Sequence, residues 1–259
     1  MTQMKSGTVQ SVERAMAILV CLGENEEGLR LTEIARQTRL SVSTVHRLLT
    51  TLEARRFAQC DPSAGLWHVG RQAFSVGATY ARQRNFIAPA LPILKRLRDQ
   101  TRETANLGIV DDGEVVVLTQ VESREIMRAI TRVGGRAPMT SSGMGKAILA
   151  SYGQADIEAM FARHGLRRIT ERSITSRHAM RAELARIRRA GYAVDDEEYV
   201  SGLRCVAAAV YGAQGEAVCA VSISGLSVRV TEARVEELGH MVAQAARQLT
   251  ESLGGVAPA

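Results

Sequence analysis

The tightest constraint on this chain lies between residues 31 and 69. Two short amphipathic segments meet there across the turn Thr38-Arg39-Leu40 and give way to two extended stretches. The first segment, opened by Thr32 as its N-cap, runs through Glu33-Ile34-Ala35-Arg36-Gln37-Thr38 and turns Ile34 and Ala35 inward. Ser41 caps the second, Val42 to Arg55, whose apolar positions Val45, Leu48, Leu49 and Leu52 recur at helical spacing. An earlier helix, Ser11 to Leu22, lines up Val12, Ala15, Ile18, Leu19 and Leu22 before Gly23 ends it. After the pair, Phe57-Ala58-Gln59-Cys60 and Leu66-Trp67-His68-Val69 read as strands joined by Asp61-Pro62-Ser63-Ala64-Gly65. In such a turn Asp and Ser bond their own backbone, Pro presets φ and Gly accepts a left-handed conformation. Three helices followed by a hairpin make a winged helix-turn-helix pattern.

In that pattern the second helix of the pair enters the major groove, and polar residues of its first turns meet base edges. Ser41, Ser43, Thr44, His46 and Arg47, with Arg36 from the preceding helix, are the expected DNA contacts. An ordinary surface helix would also carry short polar residues near its cap. The charge distribution favours the DNA reading. Residues 36–84 hold eight arginines against Glu53 and Asp61, while the whole chain of 259 residues carries a formal net charge of +6. Arg offers a planar fork suited to phosphate and guanine, although a GC-rich coding sequence produces the same preference for Arg over Lys. Trp67 is expected in the core at the base of the wing. One winged helix covers too little DNA for operator-grade affinity, so a homodimer or a dimer of dimers on a palindromic, double-stranded operator is expected.

Arg71 to Asn85 reads as a linker helix, with Phe74, Val76, Ala78 and Tyr80 as candidate dimer contacts, and Pro89 and Pro92 punctuate the chain after it. The expected division is 8–70, 71–88 and 89–255. The last part alternates strands (Ala105–Val110, Val115–Val121, Met127–Val133, Tyr192–Val194, Cys205–Tyr211, Ala217–Ser224) with helices (near Lys146–Tyr152, Ala155–His164, Arg177–Arg189, Thr231–Leu253). About six strands without strict βαβ alternation imply an α+β domain on one central sheet.

Polar residues converge in that domain. If Tyr211 pairs with Glu216 across the turn Gly212-Ala213-Gln214-Gly215, Cys205 faces Ser222, and Ser224 lies diagonally on the same face. Each of the three could be a small residue chosen for tight packing; together they suggest a binding site. Asp195 precedes Asp196, Glu197 and Glu198, which read as a solvated edge. Ser141-Ser142-Gly143-Met144-Gly145-Lys146 leads into a helix whose first N–H groups can receive a carboxylate, without the frame of a nucleotide-binding P-loop.

Several runs resemble the IclR family of bacterial regulators: Leu31-Thr32-Glu33-Ile34-Ala35, then Ser43 through Leu52, and Gly70-Arg71-Gln72-Ala73-Phe74-Ser75-Val76-Gly77. The resemblance extends over essentially the whole chain. It implies a GAF/PAS-like effector domain behind the winged helix. Gly191 to Asp195, Gly202 to Ala207 and Ala220 to Gly225 are most similar to the glyoxylate-sensing subgroup, which includes the acetate-operon and allantoin-operon repressors. Carried over from that subgroup, Gly143, Met144, Asp195, Leu203, Cys205, Ser222 and Ser224 would hold a small 2-oxo acid, with Met144 in place of the usual small residue. No Arg from these runs is expected to point inward. An aromatic or sugar-derived acid, or an activating role, stands as the alternative.

Composition excludes other classes. The four cysteines are scattered, so neither a disulfide framework nor a metal site is expected. No G-x-S-x-G occurs and no His lies near the Cys and Ser motifs, so no enzyme and no cofactor is expected. Neither a signal peptide nor a membrane span is apparent, and a cytoplasmic location is expected.

Overall fold

The structure, a computed structural model, describes residues 8–83, 86–127 and 132–258. The chain divides into two compact units, one ending at Gln83 and the other beginning at Arg84.

In the first unit, α1 (Gln10–Gly23), α2 (Leu31–Thr38) and α3 (Val42–Ala54) enclose a core with β1 (Leu29–Arg30), β2 (Ala58–Asp61) and β3 (Leu66–Val69). The strands form a sheet in the order β1-β3-β2, and α4 (Arg71–Gln83) follows. Ile18, Leu22, Ile34, Val45 and Leu49 are buried, Leu48 and Leu52 pack half-buried against them, and Trp67 closes the base of the hairpin. Val12 departs from the expected inward face: it is 53% exposed and lies with Val9, Met16 and Val20 on an open side of α1. Helical spacing alone could not choose between those two stripes, because both are apolar. Thr32 is not the cap of α2. The helix starts one residue earlier, at Leu31, and Glu33 Oε2 accepts the N–H of Arg30 at 2.7 Å. The turn to α3 runs through Arg39 at φ 56°, a left-handed residue that ends α2.

The second unit is a six-stranded antiparallel sheet in the order β6-β5-β4-β9-β8-β7. Its strands are β4 (Thr104–Asp111), β5 (Glu114–Val121), β6 (Arg136–Pro138), β7 (Ala193–Asp196), β8 (Leu203–Tyr211) and β9 (Ala217–Leu226). One apolar cluster joins the sheet to α5 (Ile87–Thr101) and α9 (Glu232–Ser252). The other joins it to α6 (Gly143–Leu149), α7 (Gln154–His164) and α8 (Arg177–Ala190). The helix α5 was hidden by its prolines: Pro89 falls in its first turn, where its missing N–H costs nothing, and only Pro92 interrupts the ladder. Of the strand expected at Met127–Val133, residues 128–131 lie outside the described residues, and β6 begins at Arg136 instead.

The β8–β9 register differs from the expected one. Tyr211 pairs with Ala217, an irregularity follows, and Cys205 then faces Ser224 while Ser222 faces Ala207. The shift along β9 amounts to an even number of residues at Cys205, so all three side chains stay on one face.

Candidate functional site

Two surfaces carry the chemistry, one in each unit. On α3, the hydroxyl of Ser41 accepts the N–H of Thr44 at 3.2 Å and lies 2.8 Å from the Thr44 hydroxyl and 3.1 Å from that of Ser43. Capping thus occupies Ser41 and the half-buried Thr44, whereas Ser43, His46 and Arg47 are exposed. Val45 and Leu49, both fully buried, set this rotation by anchoring the opposite face. Arg36 and Arg39 are exposed on and just after α2. In the wing, Asp61 Oδ1 accepts the N–H and hydroxyl of Ser63 at 2.9 and 2.7 Å, and these bonds hold its carboxyl below the usual range.

In the second unit, Gly143, Met144, Asp195, Cys205, Ser222 and Ser224 line one cavity of about 250 Å³. Leu203 does not: it is half-buried at the start of β8, outside the lining. Asn106 on β4, which sequence reasoning missed, completes the polar floor. It is 1% exposed, and its Nδ2 lies 3.3 Å from Ser222 Oγ and 3.1 Å from Ser224 Oγ. Ser224 Oγ also meets Cys205 Sγ at 2.9 Å, and burial pushes that thiol up to about 12, so it stays neutral. Alternation along β4 was the one signal that could have placed Asn106 on this face.

The α6 end of the cavity depends on close packing. A Cβ at Gly145 would sit 2.3 Å from the Met139 carbonyl oxygen, so only glycine lets the first turn approach so closely. Ser142 caps the helix by accepting the Gly145 N–H at 3.0 Å. The first amides, those of Gly143 and Met144, have no intrahelical acceptor.

Lys146, one turn further on, is fully buried. Its Nζ donates to the Val194 carbonyl at 2.6 Å and to Glu198 Oε1, with Glu183 at 3.8 Å. Glu198 is therefore no part of a solvated edge: it is 5% exposed. Asp196 instead pairs with Arg172 and Arg204. Asp195 is held by the N–H groups of Glu198 and Tyr199, at 2.8 and 3.3 Å to its Oδ1. Tyr199 also lines the cavity and donates its hydroxyl to the Arg136 carbonyl at 3.0 Å. Arg204, the one arginine within the runs of this unit that carried the resemblance, stays out of the lining as expected, but Arg132 and Arg136 do reach it. Arg132 lies just before β6 and Arg136 opens it, outside every run that carried the resemblance. Arg136 is paired with Glu114 and Asp111, each at 2.7 Å.

Such a constellation can bind but offers no activated nucleophile. Its thiol is neutral, its hydroxyls face an amide, and no His lines it among the described residues. No described helix is long and apolar enough to cross a membrane.

Comparison with known proteins finds a family match for most of each unit. The IclR helix-turn-helix domain matches residues 11–62, and the C-terminal domain of the bacterial transcriptional regulator IclR matches residues 78–251. The chain is 39% identical to the acetate operon repressor of Salmonella typhimurium, over 96% of its own length and 92% of the relative's. It is 40% identical to the HTH-type transcriptional regulator BhcR of Paracoccus denitrificans, covering 95% of this chain and 88% of that one. A solved IclR-type regulator from Alicyclobacillus acidocaldarius superimposes with a TM-score of 0.82 at 26% identity, over 96% and 100% of the two chains. The exposed polar face of α3 and the sheet-floored cavity therefore belong to a DNA-binding transcription regulator of the IclR family.

Proposed function

We propose that this chain is a repressor that binds a palindromic operator as a homodimer or dimer of dimers, and that a short 2-oxo acid, glyoxylate first, alters that binding. The carrying observation is the convergence of Ser222, Ser224, Asn106 and Cys205 in one cavity that Gly143 and Met144 also line. A buried small anion needs its oxygens paired, since each orphaned polar group costs about 1–3 kcal/mol, and this floor supplies short donors from several directions. Ser43, His46 and Arg47, with Arg36 and the capping residues Ser41 and Thr44, are assigned to DNA. Phe74 (79% exposed) and Val76 on α4 offer apolar surface for a second copy. The repressor sign follows the acetate operon relative, and the place of action is the cytoplasm, where the operator is.

One observation favours a second reading: about 250 Å³ exceeds what two carbons fill, and Arg132 and Arg136 stand at the lining. Calorimetric titration with acids of two to seven carbons, paired with gel shifts on the operator, separates the readings. Glyoxylate or pyruvate should bind and shift operator affinity. Response to an aromatic or sugar acid alone would overturn the effector assignment and leave the DNA-binding assignment intact. Size-exclusion chromatography at micromolar concentration tests the oligomer.

A further inference from the structure

Asp195 stands where an entering anion must be accommodated. It is 4% exposed, lines the cavity and faces Cys205 across the β7–β8 pair. Its Oδ1 is occupied by two backbone N–H groups, while Oδ2 has no hydrogen-bond partner among the described residues. Most of the surrounding cations are paired with other carboxylates. From α6, Lys146 serves Glu198 and the Val194 carbonyl. From α8, Arg186 closes on both oxygens of Glu183 at 2.8 Å. Near β6, Arg136 is held by Glu114 and Asp111. Arg172 and Arg204 hold Asp196. Facing Asp195 from β8 is the neutral thiol of Cys205, and β9 offers only hydroxyls. The half-buried carboxyl of Glu183 and the buried one of Glu198 each lie in an ion pair, while among the described residues Asp195 lies in none.

A bound carboxylate and an ionised Asp195 would then share a small, poorly solvated space with no cation paired to Asp195, a situation resolved by a proton. Resting on the reading that the effector is a short 2-oxo acid anion, we propose that Asp195 receives that anion as a protonated hydrogen-bond donor, so that binding takes up a proton from solvent. Burial already pushes the Asp195 carboxyl up to about 7, with the Glu198 charge adding to the rise and Lys146 opposing it. Near neutral pH the free protein is therefore poised between the two forms. An ionised Asp195 would act in the opposite sense: it would accept from the geminal hydroxyls of a hydrated oxo acid and exchange no proton.

The test is calorimetric titration of the full-length protein with sodium glyoxylate, and separately pyruvate, in buffers of differing ionisation heat. Proton uptake should be about 0.1 per site at about pH 6, about one half near pH 7 and about 0.9 near pH 8. The Kd should be nearly flat below about pH 6.5 and rise toward about tenfold per pH unit above about 7.5. Asp195→Asn should lose that slope, and Glu198→Gln should keep it with the break moved to lower pH. Circular dichroism checks that the variants fold, and the wild-type proton count decides without them. Glyoxylate binding with uptake below about 0.2 near pH 8 and a flat Kd overturns the proton assignment while the effector reading stands. A slope retained in Asp195→Asn overturns it as well. If no acid of the panel binds the wild type at about pH 6, the effector reading falls and takes this inference with it.

Discussion

Replacing Lys146 by Met should be among the most destabilising single changes in the second unit. The side chain is fully buried and its Nζ serves Glu198, the Val194 carbonyl and, at longer range, Glu183. Methionine fills a similar volume, so packing changes little and the loss is electrostatic. Glu198 would keep its charge at 5% exposure with no cation, and its Oε2 is already without a partner. Removing one member of a buried ion pair costs about 3–5 kcal/mol, and the orphaned carbonyl adds about 1 kcal/mol. The double change Lys146→Met/Glu198→Leu removes both charges and should recover at least about 2 kcal/mol relative to the sum of the single changes. Because Lys146 opposes the raised values of both Asp195 and Glu198, its loss should hurt more near pH 8 than near pH 5, where these carboxyls protonate. Urea unfolding followed by circular dichroism measures the cost. Trp67, the single tryptophan, lies in the first unit, so its fluorescence should stay close to wild type and serve as the internal control. A cost for Lys146→Met below about 1 kcal/mol, or strict additivity in the double variant, would refute the argument.

Arg47→Ala should weaken operator binding by about 1–3 kcal/mol if the guanidinium reads a guanine, and an unchanged gel-shift titration at fixed salt would exclude the contact. Ser222→Ala, which removes one hydroxyl from the polar floor, should abolish the glyoxylate response in the same gel shift, with ligand-free operator affinity as the control. Asp195 should also shape stability. Its folded value, about 7, lies above the ordinary 3.8, so the folded state holds the proton more tightly and stability should fall as pH rises from about 4 to about 7, by at most about 4 kcal/mol, and level off above. Asp195→Asn should flatten that decline in a pH series of urea unfolding curves.

The first unit was largely legible without coordinates because local signals agreed there. The helical spacing of Ile34, Val45 and Leu49, the Ser41 cap and the Asp61–Gly65 turn all specify elements made by neighbours in the chain. Where two stripes competed, as at Val12, only packing decided which turned inward. In the second unit, period-two alternation was enough to put Cys205, Ser222 and Ser224 on one face, and that survived an incorrect register because the error was an even number of residues. The rest of the cavity is made of contacts between distant segments. Asn106 reaches Ser222 and Ser224 across 116 and 118 residues, and Lys146 finds Glu198 across 52. Arg132 and Arg136 arrive from a stretch with no motif, and Leu203 stays outside the lining although it shares the strand of Cys205. Local pattern determined which elements form and which face each residue takes. Strand order and the stacking of α6 on the sheet decided which charges are buried together, because desolvation and pairing depend on neighbours in space rather than in sequence.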